Sequence, residues 1–206
     1  MLSPVVLVTG AAKLSGRAMA LALAEQGWRV AVHYRDSVEE ARRTVADCGR
    51  LCAGAQAFRS NLGNETAVRN LLPTVVEAMG AVDAVVHCAA TLEPDSAATF
   101  SFAALEKHLR SNTAAAIVLG QALHQHVAQR RLHGAARADL LLWLDDRAAE
   151  RAGQHLSYTL SRAALEAAVG VLAASLQPQV RVQGVRSAPQ AAGLLQRLNP
   201  EPLAHA

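Results

Sequence analysis

Short apolar runs alternate with longer helix-forming segments along most of the chain. Runs rich in Val, Leu and Ala predict strands at 5–9, 29–34, 55–59, 84–88, 138–144 and 180–185. Segments with helical spacing or many Ala and Leu residues predict helices at 17–26, 37–46, 64–79, 103–128 and 158–176. Because strands that alternate with helices form parallel sheets with right-handed crossovers, we expect one domain over residues 1–206, an α/β fold with a Rossmann-like, doubly wound parallel sheet.

Three predicted helix ends carry capping residues. Gly27 stands where a C-terminal glycine cap belongs, and Asn64 is placed to cap the helix that follows it. Ser37 and Glu40 have the spacing of a capping box, in which each side chain accepts from the other residue's backbone N–H. We expect each of these residues to fix the end of its helix.

The first predicted strand leads through a small-residue turn, Thr9 to Gly16, into a helix. Free N–H groups and the positive end of the dipole at a helix N-terminus attract phosphate. Glycine is needed where a turn reaches positive φ or where backbone approaches a pyrophosphate. The turn therefore indicates a nucleotide site at the carboxyl ends of the strands, and the alternative is an ordinary turn with two incidental glycines.

The tip of the second predicted strand bears on which nucleotide would bind. NAD sites place an acidic residue there, whereas this chain has Tyr34 followed by Arg35. Because a guanidinium suits a 2′-phosphate, the sequence favours NADP(H) over NAD(H). Asp36 leaves another interpretation open, since it could pair with Arg35 and leave that arginine a solvated loop residue.

A candidate catalytic group follows the fifth predicted strand. Tyr158 and Arg162 are four residues apart and share one helix face, and Asp145 ends the strand. A unit charge about 4 Å away is worth roughly 4 kcal/mol at an effective dielectric of about 20. We therefore expect Arg162 to lower the pKa of the Tyr158 phenol towards neutrality. The alternative is a surface tyrosine with an ordinary helical neighbour.

Composition narrows the classes of partner. With 3% aromatic residues and a net charge of +3 from scattered basic residues, the chain has no platform for nucleic acid. No apolar run approaches a membrane span and the start lacks a charged leader region, so we expect no membrane partner. Three cysteines suit a reducing, cytoplasmic compartment, and no His or further Cys pair completes a metal site with Cys48 and Cys52.

These residues resemble the short-chain dehydrogenase/reductases, and more closely their pteridine reductase and dihydromonapterin reductase branch. The resemblance covers about residues 4 to 190. It rests on the turn at 9–16, Asn112, Asp145 where most of the family has Ser, Tyr158-x-x-x-Arg162, and the run His33-Tyr34-Arg35-Asp36-Ser37.

The resemblance implies a role for each matched position. Tyr158 would donate a proton while NADPH delivers hydride, Asp145 would position the reacting group, and Asn112 would hold a water chain. Residue 162 would bind the nicotinamide ribose. The implied cofactor-binding residues are Gly10, Lys13, Leu14, Ser15, Gly16, His33, Tyr34, Arg35, Ser37, Asn61, Leu62 and Ala89. The helices at 103–128 and 158–176 would form a homodimer or homotetramer interface.

The chain also departs from that family's pattern. Arg162 replaces a lysine and effectively never deprotonates, which weakens a lysine-type proton relay. The family's Asn-Asn-Ala-Gly is replaced at 87–90, and its Pro-Gly at 187–188. Leu14 and Leu92 stand where pteridine reductases carry an arginine and a stacking aromatic residue. The substrate region, about 187–206, is abbreviated and too short for both the usual covering helix and a seventh strand.

The main hypothesis is that the protein is an NADPH-dependent reductase with Tyr158 as proton donor. Its substrate would be a small carbonyl or imine compound, and pterin-like compounds are among the candidates. One alternative is a catalytically lapsed or repurposed member that binds nucleotide or a partner subunit without redox turnover. Another is a non-redox reaction, such as a cyclisation or dehydration, in the same pocket.

Overall fold

A single sheet of six parallel strands forms the centre of the molecule. The computed structural model describes residues 3–131, 137–146 and 148–196. The strands are β1 (Val5–Thr9), β2 (Arg29–Tyr34), β3 (Ala55–Arg59), β4 (Ala84–His87), β5 (Ala138–Trp143) and β6 (Val180–Val185). They pair in the order β3-β2-β1-β4-β5-β6, which confirms the predicted doubly wound sheet. The strand order reverses between β1 and β4, where ligands bind in such sheets.

Seven α-helices of the described residues cover the two faces of the sheet. They are α1 (Leu14–Glu25), α2 (Val38–Gly49), α3 (Glu65–Met79), α4 (Phe102–Leu109), α5 (Ala115–Arg131), α6 (Leu156–Leu176) and α7 (Ala188–Gln196). Val5 and Leu7 of β1 join the core formed with α3, α5 and α6, while Val6 and Val8 join the core formed with α1, α2 and α7. Since both faces are buried at the centre of the sheet, the inner strands β1, β2, β4 and β5 are mainly apolar, whereas the edge strands β3 and β6 also carry exposed or half-buried polar residues.

The predicted caps have different outcomes. Gly27 follows α1 with φ +82° and donates its N–H to Ala24 O, and Asn64 Oδ1 accepts the N–H of Ala67 at 2.9 Å, so both predictions are confirmed. The capping box is wrong. Ser37 makes no side-chain capping bond, and Glu40 pairs with Lys13 at 2.9 Å because the glycine turn brings that cation beside α2.

The predicted helical stretch at 103–128 is confirmed, with one local change in its hydrogen-bond pattern. It consists of α4 and α5, which are separated by a π-helical turn at Arg110–Ala114. Ser111, Asn112 and Thr113 of that turn are buried and bond to other segments, which explains the π-helical turn without a local Pro or Gly.

The region about 187–206, which the sequence predicts to be too short for both a covering helix and a seventh strand, contains one helix among its described residues. Its first part forms α7, whose Ala191 and Leu195 are buried and whose Leu194 O accepts from Arg181 Nη2 at 3.2 Å. Residues 197–206 lie outside the described residues. Within the parts of the chain that are described, the sheet has no seventh strand.

α6 is the one described helix that is long and apolar enough to cross a membrane by length and composition, with a mean hydropathy of 1.3. In this fold its Leu165 and Leu172 are buried in the core against the sheet. Core helices of α/β domains have the same composition.

Candidate active site

The glycine turn after β1 has no room for larger residues at two positions. Gly10 has φ +66°, and a Cβ there would lie 2.8 Å from Ala89 Cα. A Cβ on Gly16 would lie 2.3 Å from Gly10 O. The turn thus brings the start of α1, with Leu14 and Ser15, close against the carboxyl ends of β1 and β4. This leaves a cradle of bare backbone that a side chain would fill.

Two buried histidines hold this cradle from below. His33 Nδ1 accepts the N–H of Gly10 at 3.1 Å and its Nε2 donates to Ser60 O at 3.1 Å. Burial lowers the pKa of His33 to about 4, so the ring is neutral. The structure therefore places His33 under the turn, where it orders backbone, rather than on the open side of the cleft.

His87 makes the corresponding connection at β4. Thr9 Oγ1 accepts the N–H groups of Cys88 and Ala89 at 3.1 Å and donates to His87 Nδ1 at 3.0 Å. His87 Nε2 donates to Asn112 O at 3.2 Å, and since a carbonyl only accepts, this nitrogen carries the proton. Burial and then the Arg162 charge lower the pKa of His87 to about 3.

A cleft of about 670 Å³ opens at the tips of β2 and β3. Arg35 borders it and pairs with Asp36, Nε to Oδ2 2.6 Å. Arg59 lies beside them, with Nε donating to Arg35 O at 3.1 Å and Nη2 4.0 Å from Asp36 Oδ1. Two guanidiniums thus face one carboxylate. No sequence motif pointed to Arg59, although the parallel register of β2 and β3 sets it opposite Tyr34.

A second cleft of about 350 Å³ lies on the other side of Arg35. It is lined by Arg35, Asn61, Gly63, Thr91, Ala103, Glu106, Lys107, Arg110 and Ser111. Asn61 Oδ1 accepts the N–H of Gly63 at 3.0 Å, and the neighbouring Leu62 is buried in the core. Lys13, held by Glu40, and Ser37, just before α2, lie beyond the tips of β1 and β2.

Tyr158 and Asp145 meet at the end of β5. The Tyr158 hydroxyl donates to Asp145 Oδ2 at 2.6 Å, and the same oxygen is 2.5 Å from Arg151 Nη1. Arg151, which the sequence analysis missed, comes from a short 3-10 turn between β5 and α6. The carboxylate therefore has a phenol on one side and a guanidinium on the other.

Arg162 lies behind this pair and is 4% exposed. Its Nη2 donates to Trp143 O, and its Cζ is 6.0 Å from the centre of the Tyr158 ring. Within the described part of the chain, its Nε and Nη1 are buried without a hydrogen-bond partner. Burial lowers the pKa of Arg162. A buried donor without a partner costs about 1–3 kcal/mol, so ligand oxygens there would be stabilising.

The expected lowering of the Tyr158 pKa is wrong. Burial and the hydrogen bond to Asp145 raise the pKa of Tyr158 to about 12, and the charge of Arg162 only partly offsets them. A carboxylate can accept the phenol's proton in a hydrogen bond but repels a phenolate. The phenol is therefore protonated at neutral pH.

Asn112 uses its whole side-chain amide within the protein. Its Oδ1 accepts from Thr91 N at 2.6 Å and Ser111 Oγ at 3.1 Å, and its Nδ2 donates to Thr91 O at 3.0 Å and Ser161 Oγ at 2.9 Å. With its carbonyl accepting from His87, Asn112 ties the π-helical turn to α6 and to the loop after β4. These contacts hold neighbouring segments together and give no support to the expected water chain.

The three cysteines are free, and Cys48 is buried. In the described ranges no three His, Cys, Asp or Glu side chains are grouped as a metal site.

A family model described as short chain dehydrogenase matches residues 4–202. Among curated proteins, the 3-oxoacyl-[acyl-carrier-protein] reductase FabG of Staphylococcus aureus is 36% identical over 81 residues, 39% of this chain and 33% of the relative. The chain thus spans about a third of the length of the curated relatives it matches.

Two solved structures are similar over most of their length. One is FolM Alternative dihydrofolate reductase 1 from Brucella suis in complex with NADP, with TM-score 0.78 and 25% identity over 94% of this chain and 82% of that chain. The other is the Brucella canis protein of the same name, complexed with NADP, with TM-score 0.78 and 24% identity over 98% and 81%. The second likeness bears on the fold alone.

Proposed function

The chain belongs to the short-chain dehydrogenase family, and on that premise we propose that it is an NADPH-dependent reductase of a small carbonyl or imine compound. The observation that carries the proposal is the Tyr158–Asp145 hydrogen bond beside the buried Arg162. A protonated phenol held next to a fixed cation is suited to give a proton to an oxygen or nitrogen that gains charge.

The residues fit a phosphorylated dinucleotide at three points. The cradle at Gly10 and Gly16 leaves backbone open for a pyrophosphate, and Arg35 and Arg59 suit a 2′-phosphate. The unpartnered Nε and Nη1 of Arg162 suit the ribose hydroxyls. When bound, the cofactor supplies the hydride. The NADP named for the similar Brucella suis structure supports the choice of cofactor.

The chain's own groups handle the proton. Because burial and the Asp145 hydrogen bond raise the pKa of Tyr158 to about 12, the phenol is protonated at neutral pH and carries the proton that a reduction requires. A substrate must take the hydroxyl's hydrogen bond from Asp145, whose orientation Arg151 fixes. The phenolate left after proton transfer would lie beside Arg162, whose charge compensates it.

A second candidate function has its own observation. A buried guanidinium cannot relay protons as a lysine does, and Asn112 has no free amide group for a water chain. These features favour a lapsed member that binds nucleotide or a partner without turnover. A non-redox reaction would use the same Tyr158 and Asp145.

The substrate class stays broad. Leu14 and Leu92 are exposed at the positions where a pterin site would have an arginine and an aromatic residue. Because both are leucines, neither supplies the charged or the stacking contact expected for a pterin. The dihydrofolate reductase named among the similar structures keeps pterins in the test panel, together with quinones and cyclic imines.

We propose a homodimer or homotetramer through α6 and the α4–α5 region. The outward face of α6 has exposed small residues, Ala163, Ala167 and Gly170, between exposed Leu160 and Val171. Small residues allow close helix approach, and analytical ultracentrifugation of Ala167→Glu against the parent protein tests this face. The free cysteines support a reducing, cytoplasmic location.

Calorimetric titration with NADPH and NADH tests the cofactor proposal. Each of the variants Arg35→Ala and Arg59→Ala loses a charge-assisted bond of about 1.5–3 kcal/mol. The affinity for NADPH should therefore fall about ten- to a hundredfold, and the affinity for NADH should not change. Arg50→Ala, an exposed arginine at the far end of α2, is the matched control and should bind as the parent does. If neither NADPH nor NADH binds to the parent protein, the proposal is contradicted.

A further inference from the structure

The helix that carries Tyr158 has no cap from its own flanking residue. α6 begins at Leu156, and its N-cap residue, His155, makes no side-chain bond to the helix backbone. The first N–H groups of a helix need acceptors from elsewhere. Asp95, in the loop after β4, provides them: its Oδ1 accepts from Ser157 N at 2.9 Å and its Oδ2 from Ser157 Oγ at 2.5 Å.

The backbone around Asp95 is fixed to the same helix start. Asp95 N donates to Gln154 O at 3.0 Å, and Leu156 N donates to Asp95 O at 3.2 Å. His155 Nδ1 bonds Glu93 O at 3.1 Å. These bonds form a short parallel pairing between Asp95 and His155, so the carboxylate cannot drift from α6.

Asp95 is 8% exposed and is held as a carboxylate. Burial opposes its ionisation, but the two hydrogen bonds from Ser157, together with the nearby His108 and His155, keep the pKa of Asp95 below its usual value. A carboxylate at a helix N-terminus is stabilised further by the helix dipole.

Tyr158 lies between two anchored serines. Ser157, directly before it, is held by Asp95. Ser161, three residues later, bonds Asn112 Nδ2 at 2.9 Å, and its carbonyl accepts from Thr113 Oγ1 at 2.8 Å. The direction of the phenol towards Asp145 therefore depends on both anchors.

We propose that Asp95 is a positioning residue for Tyr158: by capping α6 from the loop after β4, it sets the phenol within hydrogen-bond reach of Asp145. The proposal rests on the proposed function in one respect, namely that Tyr158 is the proton donor. The placement itself is testable without cofactor, substrate or turnover.

The chain has two tyrosines, so Tyr34→Phe leaves Tyr158 as the sole phenol, and near-ultraviolet phenolate absorbance then reports on it alone. A stopped-flow jump to about pH 11 gives the reading before slow unfolding. With a pKa of about 12, about a tenth of Tyr158 ionises, whereas at the ordinary value of 10.0 about nine-tenths would. In this background we expect Asp95→Ala to move the ionised fraction strongly towards the second value, and Asp95→Asn to move it less.

Asn64→Ala is the matched control, because it removes a similar cap from α3. It should lower thermal stability and leave the ionised fraction of Tyr158 unchanged. An Asp95→Ala protein that stays folded by circular dichroism and ionises like its parent overturns the proposal, as does an equal shift in Asn64→Ala. If Asp95→Ala does not fold, Ser157→Ala should give a smaller shift in the same direction, and no shift overturns the proposal. Failure to bind NADPH would refute the proposed function and leave this result standing.

Discussion

Leu14 has a backbone conformation that leucine seldom adopts. Across the described ranges it is the one non-glycine residue with positive φ, 48°. That conformation costs an L-residue about 1–2 kcal/mol, and the side chain is 88% exposed, so burial does not offset the cost. We predict that Leu14→Gly raises the free energy of unfolding by about 1 kcal/mol, or the melting temperature by about 2–4 °C.

Thermal unfolding measures this effect directly. Ala18→Gly is the control in the same helix, where an exposed interior position with ordinary φ should lose about 1 kcal/mol. Equal losses in the two variants would mean that Leu14 is not strained.

The phenol, the carboxylate and the guanidinium of the site were predictable from the sequence, but the direction in which they shift the pKa of Tyr158 was not. The four-residue spacing correctly puts Arg162 near Tyr158. The pKa of Tyr158, however, is raised by burial and by Asp145, which together outweigh the charge of Arg162. Arg151 comes from an irregular turn with no periodic signal, so sequence reasoning had no means of finding it.

At the scale of elements, the junction of β1 and α1 depends on a missing side chain. We predict that Gly16→Ala lowers the free energy of unfolding by about 1–3 kcal/mol, because the added Cβ would overlap Gly10 O. We also predict that NADPH binding to this variant is no longer detectable. Gly193→Ala in α7 is the matched control, since nothing lies within 4 Å of its added Cβ. It should gain about 0.5–1 kcal/mol in chemical denaturation. Stability and NADPH binding at parent levels in Gly16→Ala would contradict the assigned cradle.

The helices show why some elements were predictable and others were not. Asn64 caps α3 through local chain geometry, which a sequence pattern carries. The break between α4 and α5 is set by bonds from Ser111, Asn112 and Thr113 to distant segments, and no local pattern encodes those. Asp95 was missed for the same reason, because it caps a helix 62 residues away in sequence.

At the scale of the whole molecule, the sheet was predictable because burial on both faces makes the inner strands β1, β2, β4 and β5 mainly apolar. The same burial makes stability depend on acid. The folded-state pKa values of His33 and His87 are about 4 and about 3, against 6.5 for an ordinary histidine. Below pH 6.5 the unfolded chain therefore takes up protons that the folded protein excludes.

We predict that the free energy of unfolding falls between pH 7 and 5, by about 1 kcal/mol per histidine for each pH unit below 6.5. Urea unfolding followed by the fluorescence of the two tryptophans, buried Trp28 and half-buried Trp143, measures it. A free energy of unfolding that stays constant over this range would show that the two histidines are not buried as neutral rings.

The central claim is that Tyr158 gives the proton in an NADPH-dependent reduction. NADPH oxidation with a panel of pterins, quinones and cyclic imines, measured for the parent protein and Tyr158→Phe, tests it most directly. The account predicts turnover of at least one compound by the parent, a fall in kcat of at least about a hundredfold in the variant, and unchanged NADPH affinity. Equal rates in the two proteins would contradict it.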